Sequence, residues 1–181
     1  IIESIKDINL RNIKKYNKFL IIYRNQGIKE NISDLAKFRK ECRLKLIEFY
    51  VANNTKLGIL LSSDGVYLSS HNKTFKAWNL KKRNFKIIGS AHNIRQINFK
   101  IRQGCDYVLL SKLFTVDYDK AAPFLGIVKF NRYIKNVSTK LVPLGGIKTT
   151  NLNSLKNVNC DALALLSEIK KKPAKIFSRL F

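Results

Sequence analysis

Short apolar runs alternate along this chain with stretches whose apolar positions recur three and four residues apart. The runs fall at 19–23, 44–51, 65–68, 85–88, 107–110, 141–144 and 162–166, and Ile1-Ile2 makes an eighth. Most are near-continuously apolar, the pattern of parallel strands covered on both faces. Between them, Asn31 or Ser33 is placed to cap a helix carrying Leu35, Ala36, Phe38 and Cys42. Asn93 caps one carrying Ile94, Ile97 and Ile101, closed by Gly104. Ile127, Phe130 and Ile134 repeat at helical spacing after Gly126, and Leu152, Leu155 and Val158 do so after Thr150. A last helix is expected from Pro173, with Ile176, Phe177 and Leu180 on one face.

Eight strands alternating with helices predict an α/β (β/α)8 TIM barrel. The barrel is expected to be a single domain over residues 1–181, with its first strand partly missing. The chain opens on Ile1-Ile2 and contains no Met, so residues are expected to precede it. The competing arrangement is an open doubly wound sheet, but the glycine-rich dinucleotide fingerprint is absent.

Composition narrows the setting. The longest apolar runs fall far short of the ~20 residues that span a bilayer, so no membrane association is expected. Three scattered cysteines, Cys42, Cys105 and Cys160, fit buried thiols in a reducing cytoplasm. The formal net charge of +23 points toward polyanions. Its lysines, however, are spread over every expected helix. The runs Lys81-Lys82-Arg83 and Lys170-Lys171-Lys172 carry no interleaved aromatics for base stacking, so nucleic acid is disfavoured as a partner. A generally anion-friendly surface is the better reading.

The candidate chemistry lies at the expected strand ends. Gly145-Gly146 follows the run at 141–144 and offers backbone N–H groups unobstructed by side chains, a phosphate cradle if a helix follows. Thr149, Thr150 and Ser167 can add hydroxyls, and the loops after the seventh and eighth barrel strands are a frequent phosphate site. Arg24 follows the run at 19–23, where a guanidinium fork suits phosphate or pyrophosphate. Ser90 and His92 follow the run at 85–88, and His71 sits in a loop after the run at 65–68. The long segment from Ser111 to Gly126 reads as an overhanging lid holding Lys112, Thr115, Asp117, Tyr118, Asp119 and Lys120. Asp117 and Asp119 are candidates for a hard metal.

Taken in order, these segments resemble the thiamine-phosphate synthase and thiazole tautomerase family. Asp64-Gly65-Val66-Tyr67-Leu68 is similar to that family's Asp-Gly-Val-His-Leu, and Gly104-Cys105-Asp106-Tyr107-Val108 to its Gly-Ala-Asp-Tyr-Val. Ile88-Gly89-Ser90-Ala91-His92 is similar to its Gly-x-Ser-x-His strand end, Leu144-Gly145-Gly146-Ile147 to its Ile-Gly-Gly-Ile, and Leu165-Leu166-Ser167 to its Val-Val-Ser. The resemblance implies a (β/α)8 barrel of thiamine biosynthesis. Such a synthase joins hydroxymethylpyrimidine pyrophosphate to thiazole phosphate, releases pyrophosphate and uses Mg2+. It implies phosphate binding by Gly145, Gly146 and Ser167, and substrate contacts from Arg24, Ser90 and Lys120.

The chain departs from the family's pattern elsewhere. The two Mg2+-binding aspartates fall at Asn53 and Asn72, which keep an oxygen and lose the charge, so the metal should be weakened. Ile22 and Gln26 replace a Gln and a Lys that flank the family's Arg. The lid's Thr-x-Thr-Lys has become the segment from Val116 to Lys120, and Lys112 replaces the tautomerase's lid His. The alternatives are a non-catalytic or differently catalytic barrel binding thiazole phosphate or thiamine phosphate and, less favoured, a basic nucleic-acid-binding module.

Overall fold

The computed structural model describes residues 1–13, 19–25, 27 and 30–166. Six strands lie in one wholly parallel sheet, in chain order: β1 (Leu20–Tyr23), β2 (Glu48–Ala52), β3 (Gly65–Leu68), β4 (Lys86–Ala91), β5 (Tyr107–Ser111) and β6 (Lys140–Leu144). The helices between them are α1 (Ile32–Leu44), α2 (Thr55–Leu60), α3 (Ile94–Arg102) and α4 (Ile127–Lys135), with 3-10 turns including Trp78–Arg83 and Leu152–Asn157.

Alternation along each strand builds the two faces. Ile22, Tyr50, Tyr67, Ile88, Leu109 and Val142, one from each strand, meet with Ile1 in a single inner cluster. Their neighbours point outward: Phe49 and Val51 pack beneath α1 with Leu35, Phe38 and Cys42, while Ile87, Val108 and Leu141 pack with Ile97 and Phe130. One inward side chain per strand, converging on one cluster, is the signature of a sheet curling around its own interior. The edges are extended by single bridges: Ile2 pairs with Tyr23, and Ala164 with Leu144, both parallel. The Ile1 nitrogen donates to the Leu165 carbonyl at 2.7 Å, so the two ends of the curl touch.

The runs expected at 1–2 and 162–166 are thus bridges rather than full strands, and the sheet is six-stranded among the described residues. The run at 44–51 starts too early as a strand. Leu44 closes α1, Leu46 takes a left-handed φ of 54°, and both are exposed, so pairing begins at Glu48. The helix expected after Thr150 is the short 3-10 turn Leu152–Asn157, which provides no long helix dipole at the double glycine. Gly104 follows the end of α3, and β5 opens at Tyr107. The helix starts are as read: Asn31 and Asn93 cap α1 and α3, and Gly126 precedes α4. The helix expected from Pro173 lies outside the described residues.

Two aspartates repeat one device at the strand starts. Asp64 Oδ2 accepts the Phe49 N–H at 2.7 Å, and Asp106 Oδ2 accepts the Ile87 N–H at 2.8 Å. Each carboxylate also meets a cation. Arg39 Nη2, on a buried side chain, lies 2.8 Å from Asp64, and Lys81 Nζ lies 2.9 Å from Asp106. These residues stitch strand beginnings together at the end of the sheet opposite the candidate site, which is the end of a barrel that carries stability.

Candidate functional site

The site is built at the carboxyl ends of the strands. After β6, Gly145 and Gly146 have φ of 93° and 70°, a region other side chains adopt only at a cost. Among the described residues the Gly146 N–H has no acceptor, although the residue is only half-exposed, while Gly145 sits at the parallel bridge of Leu144 with Ala164, where its N–H faces the Ala164 carbonyl. The Cβ sides of these glycines are not open. A Cβ on Gly145 would sit 3.2 Å from Lys112 Cα, and one on Gly146 would sit 2.5 Å from the Thr115 carbonyl oxygen and closer still to that of Phe114. The missing side chains therefore let the segment after β5 lie directly on the double glycine, which in turn leaves the Gly146 N–H as the available donor.

That segment is pinned by hydrogen bonds and ion pairs. The Leu113 and Phe114 N–H groups donate to the Leu144 and Gly145 carbonyls at 2.9 and 3.1 Å. Lys148 pairs with Asp117, and Lys112 Nζ lies 3.4 Å from Asp119. The two lid aspartates thus each face a lysine rather than standing together to present oxygen ligands. Lys120 is exposed beyond them; Lys112 packs against Gly145, and Lys148 follows Gly146 by two residues. Lys148 was not singled out by the sequence reading. Its one available signal was a lysine two residues beyond Gly146.

A second group faces the interior. The Tyr67 phenol is buried and hydrogen-bonds to Ser90, close enough to Arg24 to feel its charge. Burial pushes the phenol's pKa up, and the Ser90 bond and the Arg24 guanidinium pull it back. The structure therefore brings Arg24 and Ser90 together through Tyr67, a residue of the apolar run at 65–68. Nearby, His92 Nδ1 is 3.0 Å from Ser111 Oγ and 3.1 Å from the Ser111 carbonyl, which ties the end of β4 to the end of β5. His71 is exposed on its loop.

Asn53 and Asn72 meet directly. Asn53 Oδ1 accepts from the Ser69 N–H at 3.0 Å and from Asn72 Nδ2 at 3.1 Å. Asn72 Oδ1 accepts from both the N–H and the hydroxyl of Thr74, each at 3.0 Å. An amide oxygen has two lone pairs, and in each residue both are used. Mg2+ prefers charged oxygen ligands in octahedral geometry. This neutral, hydrogen-bonded pair does not fit it, and no group of three or more His, Cys, Asp or Glu side chains gathers among the described residues.

Beneath the Asn72 loop lies Lys100, an α3 residue only 1% exposed. Its ammonium donates to the Ser69 carbonyl at 2.7 Å, to Gln103 Oε1 at 2.8 Å and to the Asn72 carbonyl at 3.0 Å. Gln103 Nε2 adds bonds to the Thr74 and Asn72 carbonyls at 2.7 and 3.2 Å. Burial lowers the pKa of Lys100 to about 8. Gly89 makes room for it, since a Cβ there would come within 2.9 Å of the Lys100 Cδ. Ser167 and Gln26 lie outside the described residues.

A parallel, chain-ordered α/β sheet that curls around an inner cluster, with polar groups at the strand carboxyl ends, defines a protein of the barrel-type α/β class. The sequence profile of the thiamine monophosphate synthase family matches residues 10–169, and the chain belongs to that family. It is 29% identical over 140 residues to a thiamine-phosphate synthase of Prochlorococcus marinus subsp. pastoris, covering 77% of this chain and 40% of that protein. It is 26% identical over 168 residues to a thiamine-phosphate synthase of Dictyoglomus turgidum, covering 91% of this chain and 75% of that one. The fold matches a thiamine phosphate pyrophosphorylase from Pyrococcus furiosus with a TM-score of 0.68 at 17% identity, over 90% of this chain and 84% of the other. The chain thus spans two fifths of the first relative and three quarters of the second.

Proposed function

We propose that this chain is a thiamine-phosphate synthase-like protein of the cytoplasm. In this reading residues 1–181 form one (β/α)8 barrel domain, with the bridges at Ile2 and Ala164 completing the wall. The ligand is a phosphorylated small molecule: the barrel joins hydroxymethylpyrimidine pyrophosphate to thiazole phosphate and releases pyrophosphate. One observation carries the reading most. The N–H of half-exposed Gly146, just after β6, has no acceptor among the described residues, Lys112 packs against Gly145, and Lys148 follows two residues on. A backbone donor in such a glycine turn, with cations alongside, is suited to a phosphate dianion. Ser167 is assigned to the same phosphate, Lys120 to the mouth of the lid, and Arg24 and Ser90 to the substrate, with Tyr67 linking them.

A departing pyrophosphate needs positive charge to meet it. In this reading Lys112, which packs against Gly145, and Lys148, two residues beyond Gly146, supply that charge, together with Arg24. A second reading is favoured by the Asn53–Asn72 pair: a barrel that binds thiazole phosphate or thiamine phosphate without making the bond. Introducing the chain into a strain lacking thiamine-phosphate synthase tests the first reading, and growth without thiamine is expected. If soluble protein fails to support growth yet binds thiamine phosphate by calorimetry, the second reading holds. If it does neither, both fall.

No helix among the described residues is long and apolar enough to cross a membrane.

A further inference from the structure

The Ser69–Thr74 loop is gripped from two sides. Above, Asn53 Oδ1 takes the Ser69 N–H and the Asn72 side-chain amide. Below, the buried Lys100 ammonium takes the Ser69 and Asn72 carbonyls, and Gln103 takes those of Asn72 and Thr74. Every proton of the Lys100 ammonium is used, and so is every lone pair of the two asparagine oxygens.

We propose that this site is organised without a divalent cation, and that Lys100 is the positioning residue that orders it. A metal bridging two loops would hold their oxygens by attraction from between them. Here the two loops are held by a direct amide-to-amide hydrogen bond, and the buried Lys100 ammonium holds the lower face of the same loop through its main-chain carbonyls. The arrangement is closed. A cation entering between Asn53 and Asn72 would have to break the bond between them and face the donating amide of Asn72, which repels it. The inference rests on the reading of this barrel as a phosphate-ligand site only for its relevance to substrate. The loop and metal behaviour it predicts does not depend on which ligand binds.

Two measurements test it. The first is calorimetric titration of the full chain with Mg2+ alone. Wild type is expected to show no binding at millimolar Mg2+, while the Asn53→Asp/Asn72→Asp double variant gains it, because two carboxylates replace a self-satisfied amide pair. Sub-millimolar Mg2+ binding by wild type that disappears in Asn72→Ala overturns the proposal. The second is amide hydrogen exchange. In Lys100→Met, exchange at the Asn72 and Thr74 amides is expected to rise by at least about tenfold while that in β5 is unchanged, and Lys100→Arg is expected to restore part of the protection. If Lys100→Met does not fold, Gln103→Ala, which keeps the ammonium and removes one of its acceptors, should show a smaller rise confined to the same amides. Unchanged exchange in the folded variant overturns the positioning role. Both readouts need no phosphorylated ligand, so a chain that fails to bind thiazole phosphate removes the functional reading while leaving these results to stand or fall on their own.

Discussion

Replacing Gly146 by Ala puts a methyl group where the lid's backbone already lies. The new Cβ would sit 2.5 Å from the Thr115 carbonyl oxygen and 2.6 Å from the Phe114 carbonyl carbon, against ordinary contacts near 3.4–4 Å. The neighbours are main-chain atoms in a segment anchored by Leu113 and Phe114, so no side chain can swing aside. The residue also has a φ of 70°. Left-handed backbone costs an L-residue roughly 1–2 kcal/mol, and overpacking of a fixed wall costs roughly 1–3 kcal/mol more. The sum is about 2–5 kcal/mol. If the lid yields instead, part of that cost appears as its displacement from the double glycine and as weaker phosphate binding. Urea unfolding followed by the single tryptophan, Trp78, reads the first effect, and calorimetric titration with thiazole phosphate reads the second. Gly126→Ala is the control: its φ is 73° but its Cβ meets nothing within 4 Å, so it should lose stability through backbone strain alone and leave ligand affinity unchanged. Gly146→Ala within about 0.5 kcal/mol of wild type, the range of an ordinary surface change, with unaltered affinity, would refute the close-packing argument.

Four further outcomes follow from the geometry. Asp64→Ala should cost about 2–4 kcal/mol in urea unfolding, because it strands the buried Arg39 as well as the Phe49 N–H. Asp106→Ala should cost only about 1–2 kcal/mol, since Lys81 is partly solvated and finds water; equal losses would contradict the distinction. Burial raises the Cys42 and Cys105 thiols to about 12, so native protein at pH 8 should react with a thiol reagent at Cys160 alone, and unfolded protein at all three. The folded state holds these protons more tightly than the unfolded chain, so their contribution is complete below pH 9 and is lost as pH rises toward 12; thermal unfolding of Cys→Ala variants across that window should show the slope flatten. Lys148→Ala removes an exposed partner of Asp117 and should change stability by under about 1 kcal/mol, while affinity for thiazole phosphate falls at least about tenfold; an unchanged affinity would remove Lys148 from the site.

The elements that could be read from the sequence are those in which local signals agree. In the unit from β4 through α3, Asn93 as cap, the helical apolar stripe and the closing glycine stand at the expected positions, while the strand begins one residue after the apolar run at 85–88 and continues through Ser90 to Ala91. The start of β2 was hidden because Leu44 and Leu46 are apolar yet solvent-exposed at the end of α1, so the run in the sequence is longer than the strand. Helix α2 was missed because Thr55–Leu60 is under two turns, too short to show a period. At the site, the double glycine was readable as a turn, but its relation to the lid was not, because the contact joins residues some 30 positions apart. Lys100 looked like any basic residue on a helix surface. Its burial depends on Gly89 in β4, a pairing no local pattern reveals. Tyr67 belongs to an apolar run and is buried, yet its hydroxyl reaches Ser90.

The strands of the sheet follow one another in the order in which they occur along the chain. Each new strand finds its partner in the segment made just before it, so no early portion has to wait for a distant one before its ladder can form. A chain emerging from the ribosome can therefore lay down its wall one unit at a time, with one edge fixed at β1 and the other advancing as each strand is added. Only the meeting of Ile1 with Leu165 must wait until the last of these residues has been made.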